Sequence, residues 1–135
     1  MNYPRTIMII DEDSEDTEIF CDAIHEIDDT IQCVRAKDGV KALKTLTSDP
    51  VKPEFIFVDL NMTVISGKDW LKEIKKMDNL KKIPVIIYSG SKSSLDIDDA
   101  RKLGAAFYLI KPLHMSELKN SLTTVFENRQ EEFLA

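Results

Sequence analysis

Five short runs of apolar and β-branched residues, Thr6–Ile10, Ile31–Ala36, Phe55–Val58, Val85–Tyr88 and Phe107–Ile110, recur along the chain, each followed by a helix-period stretch. Most of these runs are apolar almost throughout instead of alternating, the pattern of strands covered on both faces. That restricts the chain to a largely parallel sheet with helices on either side. The helical stripes supply the covering: Ile19, Phe20, Ala23, Ile24 and Ile27, then Val40, Leu43 and Leu46, then Trp70, Leu71, Ile74 and Met77. A fourth helix is expected over about Ser94 to Leu103, with Leu95, Ala100 and Leu103 inward and Gly104 as its stop. A fifth is expected over about Ser116 to Arg129, with Leu118, Leu122, Val125 and Phe126 on one face. Ser14 and Asp38 are the expected N-caps of the first two. Right-handed crossovers turn this (βα)5 order into an α/β doubly wound open sheet of five parallel strands. In such sheets the ligand site lies beyond the carboxyl ends of the strands.

A chain of 135 residues with no linker or repeat is expected to be a single domain over 1–135, its core at about 5–130 and a short C-terminal tail. No apolar run approaches the roughly 20 residues of a membrane helix, and MNYPRT opens no signal-peptide segment. The expected location is cytoplasmic, with no membrane partner. Cys21 and Cys33 lack CxxC spacing and read as two small, semi-buried side chains without chemistry, suited to a reducing compartment. A net charge of −6 argues against nucleic-acid binding.

The strand ends carry the chemistry. Asp11 and Glu12 follow the first strand, Asp59 the third, Ser89 the fourth and Lys111 the fifth, and a parallel sheet brings all of them to one edge. Clustered carboxylates repel by several kcal/mol at about 4 Å and an effective dielectric near 20. A divalent cation relieves that repulsion, and an oxygen-only donor set selects Mg²⁺, with Mn²⁺ as the alternative. A lysine and a hydroxyl facing a metal-bound carboxylate form a pocket for a phosphoryl group, with Asp59 as the nucleophile. Asp13, Glu15, Asp16 and Glu18 read instead as first-turn acids of a helix.

These motifs, IMIIDED, FIFVDLNM, IPVIIYSGS and GAAFYLIKP, each at a strand end and in this order, resemble those of response-regulator receiver domains, the CheY-like family. The resemblance covers essentially the whole chain. It implies a flavodoxin-like sheet of order 2-1-3-4-5 and a metal site of Asp11, Glu12, Asp59 and the carbonyl of Asn61. It also implies phosphorylation at Asp59, phosphoryl contacts from Lys111 and Ser89, and a switch pair of Ser89 and Tyr108. Lys111–Pro112 is the expected cis peptide, and Asn61 and Ser91 are positions that modulate dephosphorylation. The implied partners are a histidine kinase or histidine phosphotransfer protein and a downstream protein on the face of the fourth helix, fifth strand and fifth helix. With only a short tail after the fifth helix, output is expected through partner contact or onward phosphotransfer, and the chain is no enzyme beyond its own phosphorylation and dephosphorylation. Three departures stand beside the match: Thr63 replaces the family's proline after the acceptor, Leu113 replaces the aromatic residue common after Lys-Pro, and Glu12 replaces the commoner aspartate.

Three other readings compete. An EF-hand would need glycine where Asp16 stands, and its loop would follow a helix, not a strand. A haloacid-dehalogenase-like phosphatase would need a second aspartate in D-x-D-x-T where this chain has Asn61, and there is no cap insertion. A degenerate receiver acting as a binding scaffold would have no use for Asp59, Ser89 and Lys111 together.

Overall fold

The computed structural model describes residues 3–128. It contains β1 (Thr6–Ile10), α1 (Ser14–Ile27), β2 (Gln32–Ala36), α2 (Gly39–Ser48), β3 (Phe55–Val58), α3 (Gly67–Lys75), β4 (Val85–Ser89), α4 (Ser94–Lys102), β5 (Phe107–Ile110) and α5 (Met115–Glu127). The strands form one parallel sheet in the order β2-β1-β3-β4-β5. This is the expected doubly wound architecture, and the residues expected in strands lie in them, except that β2 starts one residue later and β4 ends one residue later. The C-terminal tail, and Arg129 as the expected end of the fifth helix, lie outside the described residues.

Successive side chains of a strand face opposite sides of the sheet, so the apolar runs feed two cores. One, under α2, α3 and α4, holds Met8, Ile10, Ile56, Val58, Trp70 and Ile87. The other, under α1 and α5, holds Ile7, Ile9, Phe20, Phe57, Leu122 and Phe126, with Phe20 and Phe57 packed edge to face at 4.8 Å. Both cores sit against the central strands β1, β3 and β4, whose residues are buried apart from the half-buried Thr6 at the start of β1. The strand ends just above them are therefore fixed platforms.

Three helix residues depart from the expected stripes: Ile19, Val40 and Leu95 are exposed. Each lies at the margin of its stripe, and the buried places go to Thr17, Ala42 and, partly, Ile97. The cap of α1 is Asp13, not Ser14: its Oδ1 accepts from the N–H groups of Glu15 at 2.9 Å and Asp16 at 3.2 Å. Asp38 caps α2 as expected, accepting from Lys41 N–H at 2.8 Å. Gly104 ends α4 with φ of 98°, a conformation open to glycine.

The cysteines differ more. Cys21 in α1 and Cys33 in β2 are joined in a disulfide with Cα atoms 6.0 Å apart. A spacing of 12 residues carries no motif, and only the packing of α1 beside the sheet edge brings the two together. They therefore give no support to a reducing compartment. Closing a loop of that length stabilises the fold through the unfolded chain, so Cys33→Ser is expected to lower the free energy of unfolding by about 2 kcal/mol. Urea melts with and without reductant check this, because reductant should bring the parent chain to the variant's midpoint.

Candidate functional site

The ladder bonds continue past the strands and set the site. Asp11 N–H donates to Ala36 O, Asp59 N–H to Ile10 O at 3.0 Å, and Lys111 N–H to Ser89 O at 2.8 Å. Asp11, Asp59, Ser89 and Lys111 thus stand side by side on the carboxyl edge. Asp11, Asp59 and Ser89 are buried, unusual for such groups unless they are paired or put to use.

Lys111 is the hub. Its Nζ donates to Asp11 Oδ2 and to Asp16 Oδ2, both at 2.9 Å, lies 3.8 Å from Asp59 Oδ2 and sits 5.3 Å from the centre of the Tyr88 ring. Burial alone would pull the Lys111 ammonium down, but the hydrogen bonds to Asp11 and Asp16 outweigh it and leave the group raised. Burial pushes the Asp59 carboxyl above its usual value; Lys111 opposes this and Asp11 adds to it. Burial likewise raises the Tyr88 hydroxyl to about 12. Asp16 was not legible as part of this group, because a first-turn acid faces Lys111 only once the entry angle of α1 is fixed.

Glu12 takes another direction. Its Oε1 accepts from Thr63 N–H at 3.1 Å and its Oε2 from the Thr63 hydroxyl at 2.7 Å. Asp11 and Asp59 turn to Lys111 while Glu12 turns to Thr63, and among the described residues no three His, Cys, Asp or Glu side chains are gathered to hold a metal ion. Arg35 and Lys37, at the end of β2, line a cavity of about 270 Å³ beside Asp11 and Glu12. The edge strand therefore reaches the rim of the site, where nothing in its sequence announced it.

A second chain of contacts joins Ser89 to the neighbouring helices. Ser89 Oγ accepts from Ser91 N–H at 3.2 Å, Ser91 Oγ donates to Asp96 at 2.6 Å, and Lys68 of α3 bridges Asp96 at 2.7 Å and Asp99 at 3.0 Å. The Lys68 ammonium, and after it the Ser91 hydroxyl, hold the Asp96 carboxyl below its usual value. Tyr108 is buried, with its hydroxyl donating to Ser91 O at 2.9 Å. The Lys111–Pro112 peptide, expected cis, is trans, as is every described peptide bond; trans is the lower-energy form even before proline.

A family profile, the response regulator receiver domain, matches residues 7–123. The chain belongs to that family. Among its relatives, this receiver domain is 28% identical to chemotaxis protein CheY-3 of Vibrio cholerae over 127 residues, 94% of this chain and 95% of that one. It is 25% identical to response regulator Rcp1 of Synechocystis sp. over 122 residues, 87% of this chain and 83% of the relative. Its fold matches the phosphorylated cyanobacterial phytochrome response regulator RcpA with a TM-score of 0.83 at 24% identity, covering 93% of this chain and 96% of that one. It also matches the Mn²⁺-bound form of Rcp1 with a TM-score of 0.78 at 23% identity, covering 94% and 98%. No helix among the described residues of this receiver domain is long and apolar enough to cross a membrane.

Proposed function

We propose that this receiver domain accepts a phosphoryl group on Asp59 from a histidine kinase or histidine phosphotransfer protein, with Mg²⁺ or Mn²⁺, and passes the signal to a protein partner. The observation that carries the reading is a single ammonium, Lys111, set 3.8 Å from the buried Asp59 carboxylate and 2.9 Å from Asp11 on one sheet edge. Burial makes Asp59 more basic and Lys111 favours its ionised form, the combination a carboxylate nucleophile needs. An oxygen of Asp59 forms the new bond to phosphorus as the phosphorus–nitrogen bond of phosphohistidine breaks, and the leaving imidazole takes up a proton from water.

The donor set suits a hard divalent cation: Asp11, Glu12, Asp59 and the carbonyl of Asn61 offer oxygen alone. Such a cation, when bound, neutralises charge on the phosphoryl oxygens. Lys111 supplies the fixed positive charge on the other side, and the Ser89 hydroxyl supplies a hydrogen bond. Ser89 and Tyr108 already meet at Ser91, one through its N–H and the other through its carbonyl. A shift of Ser89 toward a phosphoryl group therefore bears directly on Tyr108, and phosphorylation biases a two-state element reaching the face of α4, β5 and α5.

Incubation with Mg²⁺ and a small acyl-phosphate donor tests the reading by intact mass. One phosphoryl group per chain, lost when Mg²⁺ is chelated, is the expected result. Steady turnover of phosphate esters would instead mark a phosphatase, and no labelling would leave a binding scaffold.

A further inference from the structure

Two of the three departures from the family pattern, Glu12 and Thr63, meet each other. They are 51 residues apart in sequence, and both sit exposed at the rim of the site. Thr63 grips both carboxylate oxygens of Glu12, the backbone N–H on Oε1 and the hydroxyl on Oε2. Neither half of the clamp works without the other. An aspartate at position 12 is shorter by one carbon–carbon bond, about 1.5 Å, which takes the 2.7 Å contact of the hydroxyl out of hydrogen-bond range. A proline at position 63 offers neither an N–H nor a hydroxyl.

We propose that Thr63 holds the Glu12 carboxylate back from the divalent cation, so that cation binding and release of the loop between β3 and α3 are coupled events. The inference rests on the metal role given to Glu12 under the proposed function. The physical basis is competition: hydrogen bonds to a charged acceptor are among the stronger ones, and a ligand group held in another arrangement lowers the apparent affinity by the fraction of time it is not free. The coupling runs both ways, so whatever loosens the clamp tightens cation binding, and cation binding loosens the clamp.

Calorimetric titration with MgCl2 at fixed ionic strength, on the parent chain and on Thr63→Val, Thr63→Pro, Glu12→Asp and the double variant Glu12→Asp/Thr63→Val, tests this. Thr63→Val keeps shape and the N–H but loses the hydroxyl, and is expected to bind Mg²⁺ about threefold more tightly. Thr63→Pro removes both donors and is expected to gain about tenfold. In the Glu12→Asp background, which cannot reach Thr63, Thr63→Val is expected to change nothing. An independent measurement reads the clamp itself: the amide resonance of Thr63 in the parent chain is expected to shift on Mg²⁺ saturation, and the perturbation to shrink in Glu12→Asp. Equal or weaker Mg²⁺ binding by Thr63→Val, or the same gain in both backgrounds, would overturn the proposal. A parent chain that binds Mg²⁺ and is labelled on Asp59 while Thr63→Val binds it unchanged sinks the clamp alone; a parent chain that binds no Mg²⁺ and takes no label sinks the clamp and the proposed function together.

Discussion

Asp59→Asn is expected to abolish labelling by an acyl phosphate and, in the same protein, to raise the melting midpoint. The first effect follows because asparagine offers no carboxylate oxygen to phosphorus. The second follows from the environment of the side chain. Its carboxyl is only 11% exposed, its nearest cation stands at 3.8 Å, and burial raises its affinity for a proton. A carboxyl whose folded value lies above its unfolded one, ordinarily about 3.9, binds protons more tightly in the folded state, so the parent chain loses stability as pH rises between those two values. Asparagine carries no charge to desolvate. The gain in Asp59→Asn is therefore complete at neutral pH, about 3 °C for each kcal/mol in a chain of this size, and vanishes below about pH 4, where the parent carboxyl is protonated in both states. Thermal melts in chelator at pH 7 and about pH 3, beside labelling by intact mass, check both halves. A loss of labelling accompanied by a lower midpoint at pH 7 would show that Asp59 is a structural carboxylate.

The second large effect is expected at Gly67, the first residue of α3. A Cβ placed there would lie 2.2 Å from the carbonyl oxygen of Asp59, 2.7 Å from Cα of Leu60 and 2.9 Å from the carbonyl carbon of Asp59. All three are backbone atoms, so no side-chain rotation relieves the clash, and Gly67 N–H already donates to Leu60 O at 2.9 Å. Gly67→Ala must push α3 away from the end of β3. Overpacking of this kind costs about 3 kcal/mol, and a shift of even about 1 Å at the acceptor can slow a positioned reaction about 100-fold. Denaturant melts and labelling time courses measure the two effects. Gly90→Ala is the matched control, since a Cβ there meets nothing within 4 Å; it is expected to melt and label like the parent. Equal behaviour of the two variants would show that α3 is not seated on the acceptor strand as described.

The central strands β1, β3 and β4 were legible because a strand buried on both faces must be apolar along its length, and none of the described helices has that pattern. The site residues were legible for a related reason: a polar or ionisable side chain directly after a buried strand is costly to keep there unless it is paired or put to use, as with Asp59, Ser89 and Lys111. Positions decided by the meeting of distant elements were not legible. Ile19, Val40 and Leu95 satisfy helical periodicity yet lie outside the contact, because a stripe has a width that only the neighbouring element defines. Asp16 looks the same as Glu15 until the placement of α1 turns it toward Lys111. Thr63 and Glu12 each read as an isolated substitution, and their pairing is a property of two loops, not of either.

The strand order has a kinetic consequence. β1 pairs with β2 and with β3, and its register with β3 begins at Ile7 opposite Phe55. During synthesis or refolding, β1 and β2 can pair early, but the other edge of β1 stays unpaired until the chain beyond Phe55 has arrived. Parallel pairings of this separation form slowly, and an open edge bearing Ile7, Met8, Ile9 and Ile10 is a template for association with a second copy. Immediately after that edge come Asp11, Glu12 and Asp13. Charges flanking an unavoidable apolar strand act as gatekeepers against such stacking, so the acids at the end of β1 also protect the nascent chain on its way to the finished site.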